Sequence, residues 1–265
     1  MNPPRSFTLS DGGHTPLIDL GAGTAVLLVH GWTLDHRSFE PQYPLADTAR
    51  LISYDRRGFG RCSSAADLER EPSDIIDLLD QLSLERVVLL GVSQGGRIAL
   101  RTACAFPDRF SGLILQGAPL DGYAVEESPT ERIPLDDYRN WVRAGRIADV
   151  RAHWLAHPLM RNGLQTEEQC EAIRAMVASY DGRDLVTTGS QVTDWQVIER
   201  LPTLPLPIMT ITGSLETESR QQTARKICAL ATTAVDTRIS GAGHLSNLSH
   251  AADYNACIRN WLGTL

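Results

Sequence analysis

Gly91-Val92-Ser93-Gln94-Gly95-Gly96 follows the apolar run Val87-Val88-Leu89-Leu90 and leads into Arg97-Ile98-Ala99-Leu100-Arg101-Thr102-Ala103. The run before it reads as a buried strand and the run after it as a helix. Strand, G-x-S-x-G, helix is the context of a nucleophile elbow. The turn is so sharp that a serine at its tip takes a strained backbone conformation. The two arms of the turn nearly touch, so the residues two places before and after the serine must be small. Gly91 and Gly95 meet that need, and Gly96 lets the helix pack closely.

Outward from this stretch, short apolar strands alternate with helices. Phe7–Ser10 and His14–Leu20, joined through Asp11-Gly12-Gly13, read as an antiparallel hairpin. Ala25-Val26-Leu27-Leu28-Val29 is continuously apolar, as expected of a strand covered on both faces. Leu51–Tyr54 and Leu113–Gln116 are further strands, each closed by a glycine-bearing turn. Between Leu51–Tyr54 and the elbow, Ser73 is placed to cap a helix from Asp74 to Leu82. Such alternation predicts a mostly parallel sheet covered by helices.

From about Pro119 to Glu199 the strand signals stop. Asp136–Ala144, Ile147–Ala156 and Thr166–Tyr180 read as helices. A helical stretch of about eighty residues between two strands predicts a cap. The division is then a core of residues 1–118 and 200–265 and a helical cap of residues 119–199. After the proline-rich return at 201–207, Ile208–Thr212 is a strand, Ser219–Leu230 a helix and Thr237–Ser240 a last strand. Gly241-Ala242-Gly243-His244 turns into a final helix that runs to Trp261.

The chain has 265 residues, 42% of them apolar and 22% charged, with a formal charge of −7. Nothing in that balance recommends nucleic acid or an anionic membrane as partner. Five widely spaced cysteines without a C-x-x-C argue against a disulfide framework and against a zinc knuckle. The first ten residues lack an apolar signal core, and no apolar run approaches a membrane span. A cytoplasmic monomer or homodimer acting on a small molecule is the expectation.

A serine hydroxyl needs a base to take its proton. Of seven histidines, His244 lies on a glycine-flanked loop after a late strand, where open sheets carry their chemistry. His250 falls at the start of the final helix and suits capping or packing. His153 and His157 have the i, i+4 spacing of helical metal ligands, but no glutamate follows His153 and Pro158 ends the helix. No metal and no cofactor are expected. The base in turn needs a carboxylate to hold its tautomer. Glu216, three residues beyond Gly213, is the choice; Glu218 and Asp121 are the alternatives. The developing oxyanion needs two backbone N–H groups. Gln94, at the N-terminus of the helix after the serine, offers one. Trp32 in His30-Gly31-Trp32 offers the other, with Gly31 letting the backbone turn.

These residues together resemble the α/β-hydrolase family. The resemblance rests on His30-Gly31-Trp32, Asp55-Arg56-Arg57-Gly58-Phe59-Gly60, Gly91–Gly96, Gly213 with Glu216, and Gly243-His244, all in the family's order. It implies an α/β fold with a mostly parallel eight-stranded sheet, its second strand antiparallel, and a helical lid after the sixth strand. The chain looks most like compact bacterial members with a lid of four helices, such as enol-lactone hydrolases, acyl-homoserine lactonases and small arylesterases. Glu216 stands where aspartate is commoner, and Cys62 where these proteins usually carry serine. Ser93 sets the chain apart from the haloalkane dehalogenase-like and epoxide hydrolase-like members, whose nucleophile is aspartate.

The expected function is a serine hydrolase that cleaves a small apolar carboxylic ester or lactone through an acyl-enzyme on Ser93. C–C bond hydrolysis, cofactor-free dioxygenation and non-catalytic ligand reception are the alternatives on the same fold. Trp141, Trp154, Trp195, Tyr123, Tyr138, Leu155, Leu159, Met160 and Met176 are candidates for an apolar pocket, most of them serving the cap's own core. Arg143, Arg146 and Arg151 are candidates to meet a substrate carboxylate, but solvated cap surface is the stronger reading.

Overall fold

The computed structural model describes residues 5–187, 189 and 191–265. Its eight strands are β1 Arg5–Thr8, β2 His14–Leu20, β3 Ala25–Val29, β4 Arg50–Tyr54, β5 Val87–Val92, β6 Phe110–Gln116, β7 Ile208–Gly213 and β8 Ala234–Ile239. They form one sheet in the order β1-β2-β4-β3-β5-β6-β7-β8. β2 is antiparallel to β1 and to β4, and every other pair is parallel. This is the sheet that the resemblance implied.

β3 and β5 bury every residue, because helices cover both faces of the sheet. One apolar layer sets Leu27, Val29, Ile52, Leu89 and Leu115 against α1 Glu71–Gln81 and α2 Gln94–Ala105. The other sets Val26, Leu28, Val88, Leu90 and Met209 against α11 Ala251–Leu262. Alternate side chains of each strand therefore serve opposite layers.

Three local expectations are corrected. α1 begins at Glu71, ahead of the expected cap at Ser73, because Pro72 in its first turn is already set for helix. β8 begins at Ala234, ahead of Thr237; it is an edge strand, and its exposed positions hide the apolar signal. Residues His36–Asp47 form a 3-10 helix where no element was expected, and Pro41 and Pro44 deny that segment the N–H groups of an α-helix.

Between β6 and β7 lie α3 Leu135–Arg143, α4 Ile147–Ala156, α5 Pro158–Arg161, α6 Glu167–Ser179, α7 Arg183–Val186 and α8 Val197–Arg200, three of them single turns. A third apolar cluster joins this segment to the core. Tyr138, Val150, Trp154, Met176 and Tyr180 meet Trp32, Leu34, Phe59, Leu245 and Leu248 there. The remaining helices are α9 Glu218–Leu230 and α10 Ser246–Ser249. The parallel strands end on one edge of the sheet, and His30, Ser93, Gly117, Glu216 and His244 all follow those ends.

Candidate active site

Ser93 stands between the last residue of β5 and the first residue of α2, with φ 54° and ψ −118°. That is left-handed backbone, which a residue with a side chain occupies only when its surroundings enforce it. The enforcement comes from both arms of the turn. A Cβ on Gly91 would lie 2.5 Å from the Gly95 carbonyl oxygen, and one on Gly95 would lie 2.2 Å from that of Val29. The Ser93 N–H is tied down by the Gln116 carbonyl at 2.7 Å. The elbow read from the sequence is therefore present, with its glycines in the expected places.

His244 and Glu216 meet across two strand-end loops. His244 Nδ1 lies 2.6 Å from Glu216 Oε2, and both side chains are buried. Burial alone would raise the Glu216 carboxyl. The adjacent His244 ring and the Thr217 N–H outweigh it and hold the carboxyl below its usual range. Gly117, at φ +55°, closes β6 directly against this pair; a Cβ there would sit 2.5 Å from the imidazole. The Gln116 side chain braces the same loop, donating to the His244 carbonyl at 2.7 Å and to Asn247 Oδ1 at 2.9 Å. Gln116 thus holds Ser93 through its backbone and His244 through its amide. Its only signal in the sequence is a polar residue ending an apolar strand.

Two N–H groups border Ser93. Gln94 opens α2, and its side-chain oxygen is fixed by Arg56 Nη2 at 2.8 Å. Trp32 follows Gly31, whose Cβ position would lie 3.5 Å from Ser93 Cβ. Neither backbone N–H has a backbone acceptor among the described residues. His30 sets the Gly31–Trp32 peptide. Its Nδ1–H donates to the Gly31 carbonyl at 2.8 Å while Nε2 accepts the Arg56 N–H at 2.9 Å. Burial, aided by the neighbouring Arg56, lowers the His30 imidazole to about 4, so the ring is neutral and can do both. In a trans peptide the N–H points opposite to the C=O, so fixing that carbonyl fixes the Trp32 N–H.

The helical segment closes over these groups. Trp32 Nε1 donates to Asp184 Oδ2 at 2.7 Å and the Tyr180 hydroxyl to Asp184 Oδ1 at 2.6 Å. Burial raises the Asp184 carboxyl. The turn at Asn162-Gly163 touches both dyad loops. A Cβ on Gly163 would lie 2.1 Å from the Gly243 nitrogen, and Asn162 Nδ2 donates to the Leu215 carbonyl at 3.2 Å. Ser93, His244, Trp32 and Gln94 all line one cavity of about 780 Å³.

A family model described as "Alpha/beta hydrolase family" matches residues 26–256. The chain belongs to the alpha/beta hydrolase family. Among curated relatives it is similar to a putative 2-succinyl-6-hydroxy-2,4-cyclohexadiene-1-carboxylate synthase of Bacillus subtilis (strain 168). The two are 27% identical over 243 residues, 85% of this chain and 83% of the relative. It is also 36% identical over 123 residues to a 2-hydroxy-6-oxo-2,4-heptadienoate hydrolase of Pseudomonas putida, 42% of this chain and 44% of that one. Among solved structures it resembles a thermophilic esterase from Thermogutta terrifontis, with TM-score 0.81 and 26% identity, covering 99% of this chain and 98% of that one.

Within this alpha/beta hydrolase the other sequence candidates fall elsewhere. Glu218 is exposed and pairs with Arg225. Asp121 pairs with Arg97 and Arg101. His250 stands at the N-cap position of α11 without a side-chain capping bond, and its ring meets Gln165 and Ser249. His153 and His157 do not share a ligand: His153 Nδ1 takes the Tyr138 hydroxyl, and His157 caps α5 by accepting the Leu159 N–H. Asp35, His36 and Asp55 bring potential metal-ligand atoms within 4.8 Å of one another. Those atoms are already engaged. Asp35 holds Arg37, and Asp55 takes His36 through its N–H and Nδ1 and Arg61 through its N–H. The trio pins the loop after β3 to the loop after β4.

The cavity wall differs from the expected apolar set. Tyr123, Trp154 and Met160 line it, whereas Tyr138, Leu159 and Met176 sit in the apolar cluster beneath and Trp195 packs on the sheet side. Arg143 and Arg146 are solvent-exposed, as expected, and Arg151 donates to the Tyr180 carbonyl. Arg97, Arg139 and Arg220 line the cavity instead. No described helix is long and apolar enough to cross a membrane.

Proposed function

We propose that this protein is a serine hydrolase that cleaves a small carboxylic ester or lactone through an acyl-enzyme on Ser93. One observation carries the reading. The buried 2.6 Å contact of Glu216 with His244 and the serine on a strained turn border one cavity, an arrangement that supports His244 as base to Ser93. Ser93 Oγ attacks the acyl carbon while His244 Nε2 takes its proton. Glu216 keeps the His244 Nδ1 proton in place and stabilises the imidazolium. The Trp32 and Gln94 N–H groups receive the oxyanion. His244 then protonates the departing alcohol, or the new hydroxyl of an opened lactone. A water activated by His244 releases the acid by the same steps. The segment 119–199 serves as the lid that shapes the acyl and alcohol sites. The similarity to an esterase at 26% identity supports this reading.

A panel of short 4-nitrophenyl esters and lactones tests it. Wild type is expected to turn over many times, and Ser93→Ala to lose that activity while keeping its circular dichroism. A near-wild-type rate in Ser93→Ala would overturn the mechanism. A second reading, hydrolysis of a C–C bond in a vinylogous diketone, draws on the similarity to the 2-hydroxy-6-oxo-2,4-heptadienoate hydrolase. It uses the same base. Turnover of a vinylogous diketone at rates above those of every ester would favour it.

A further inference from the structure

Most of the charged groups around the cavity are matched inside the protein; among the described residues the carboxylate Glu127 and the cation Arg220 are not. Arg56 is spent on Glu71, the Gln94 side chain and the His30 carbonyl. Glu69 accepts from Arg101 and from the Trp195 indole. Asp184 takes the Trp32 and Tyr180 donors. Arg97, one helical turn beyond Ser93, lies 3.1 Å from Asp121, which Arg101 already holds at 2.6 Å.

Arg220 is the cation of the cavity wall without an ion pair among the described residues. It lies in the first turn of α9, four residues after Glu216, and lines the cavity. Its Nε is buried without a hydrogen-bond partner, and it forms no ion pair among the described residues. Its surroundings push the guanidinium below its ordinary pKa, burial being the cause. The acidic groups nearest in effect are Glu216, Glu127 and Glu131. Glu216 is committed to His244, and Glu131 accepts the Glu218 N–H. Glu127 shares the cavity wall without bonding to Arg220. A partly buried cation without a partner is costly to the fold. The cost is removed when a ligand brings the counter-charge. A guanidinium fork matches a carboxylate in shape. The acidic Glu127 and Glu69 in the same wall favour a single negative charge over a dianion such as phosphate.

We propose that Arg220, with Arg97 in the same cavity wall, binds a carboxylate carried by the substrate, so that the natural substrate is an acid-bearing ester or lactone and not a wholly apolar one. This rests on the reading of Ser93 as nucleophile. It would narrow the apolar ester or lactone expected from the sequence to an acid-bearing one, and the arginines it invokes line the cavity whereas Arg143, Arg146 and Arg151 do not.

The experiment compares mono-4-nitrophenyl esters of glutarate, adipate and suberate with neutral 4-nitrophenyl esters of the same acyl length. Wild type is expected to show the higher kcat/KM on at least one acid ester. Arg220→Gln should lower the ratio of acid to neutral kcat/KM by about 10- to 100-fold, as for a lost hydrogen bond to a charged group. Arg220→Lys should restore part of it. An unchanged ratio, or an equal fall on both esters, overturns the proposal; the equal fall would assign Arg220 to steadying Glu216. Calorimetry with monomethyl adipate separates this from failure of the serine reading. Binding to Ser93→Ala that disappears in Ser93→Ala/Arg220→Gln supports the carboxylate site even if no ester is turned over. Undiminished binding in the double variant, or none to either, overturns it.

Discussion

β5 buries all six of its residues and delivers Ser93 at its end; α3 has nine residues and buries only Tyr138. The first is positioned by backbone, through a ladder to β3 and β6 and through glycines that admit no side chain. The second is positioned by a few large rings stacked on the core. On the proposed reading, the sheet edge would set where bonds are made and broken, whereas the helical segment would set what fits beside them. Substitutions should separate the two regions by size of effect.

The largest effect belongs to the sheet edge. Ser93→Ala should cut kcat on a short ester by on the order of 10^4- to 10^6-fold with little change in KM. Steady-state kinetics measures this, and a loss below tenfold would break the distinction at its strongest point. Next comes the acid. Glu216→Gln should cost on the order of 10^3- to 10^4-fold in kcat, while Glu218→Gln stays within about twofold. Equal losses would mean that the 2.6 Å contact does not orient the base.

A smaller effect tests the loop pin beneath Trp32. Burial works to raise the Asp55 carboxyl, but the bonds from His36 and Arg61 prevail and hold it at about 2. A carboxyl lowered from an ordinary value of about 3.9 stabilises the fold above that value and loses the contribution as pH falls towards 2. Asp55→Asn should therefore lose about 2 kcal/mol at pH 7, and the gap to wild type should narrow below about pH 4. Urea unfolding at pH 7 and pH 3 would reveal a gap that fails to narrow, and with it a different role for Asp55. The smallest effect lies on the exposed helical face. Arg143→Ala and Arg146→Ala should shift stability by less than about 0.5 kcal/mol and leave kcat/KM alone. A tenfold change in kcat/KM would show that this face reaches the substrate.

The same contrast explains what could be read from the chain. Ser93, Glu216 and His244 follow apolar strands and glycines, and both features are written locally. Trp32 and Gln94 follow from their positions next to those strands. Gln116 escaped notice because its amide acts across 128 positions, on a loop that no local pattern links to β6. Trp141 and Trp154 look alike in sequence, both within helices, yet only Trp154 faces the cavity. Which side a ring turns to is decided by packing between α3, α4 and the Trp32 loop, and no strict period encodes it. Arg220 was hidden in the same way, since a charged residue in a helix's first turn ordinarily signals solvent.

The contact between Gly163 and the Gly243 nitrogen limits how freely this protein can be rebuilt. Helical segments exchanged between hydrolases would carry their own turn to that spot, and any turn bearing a side chain would displace the neighbour of His244. An exchange made to alter substrate range would then slow the chemistry as well, unless the graft kept Asn162-Gly163 and the core kept Gly243. If the proposed roles hold, the segment that shapes specificity and the loop that carries His244 are a single heritable unit at this one point.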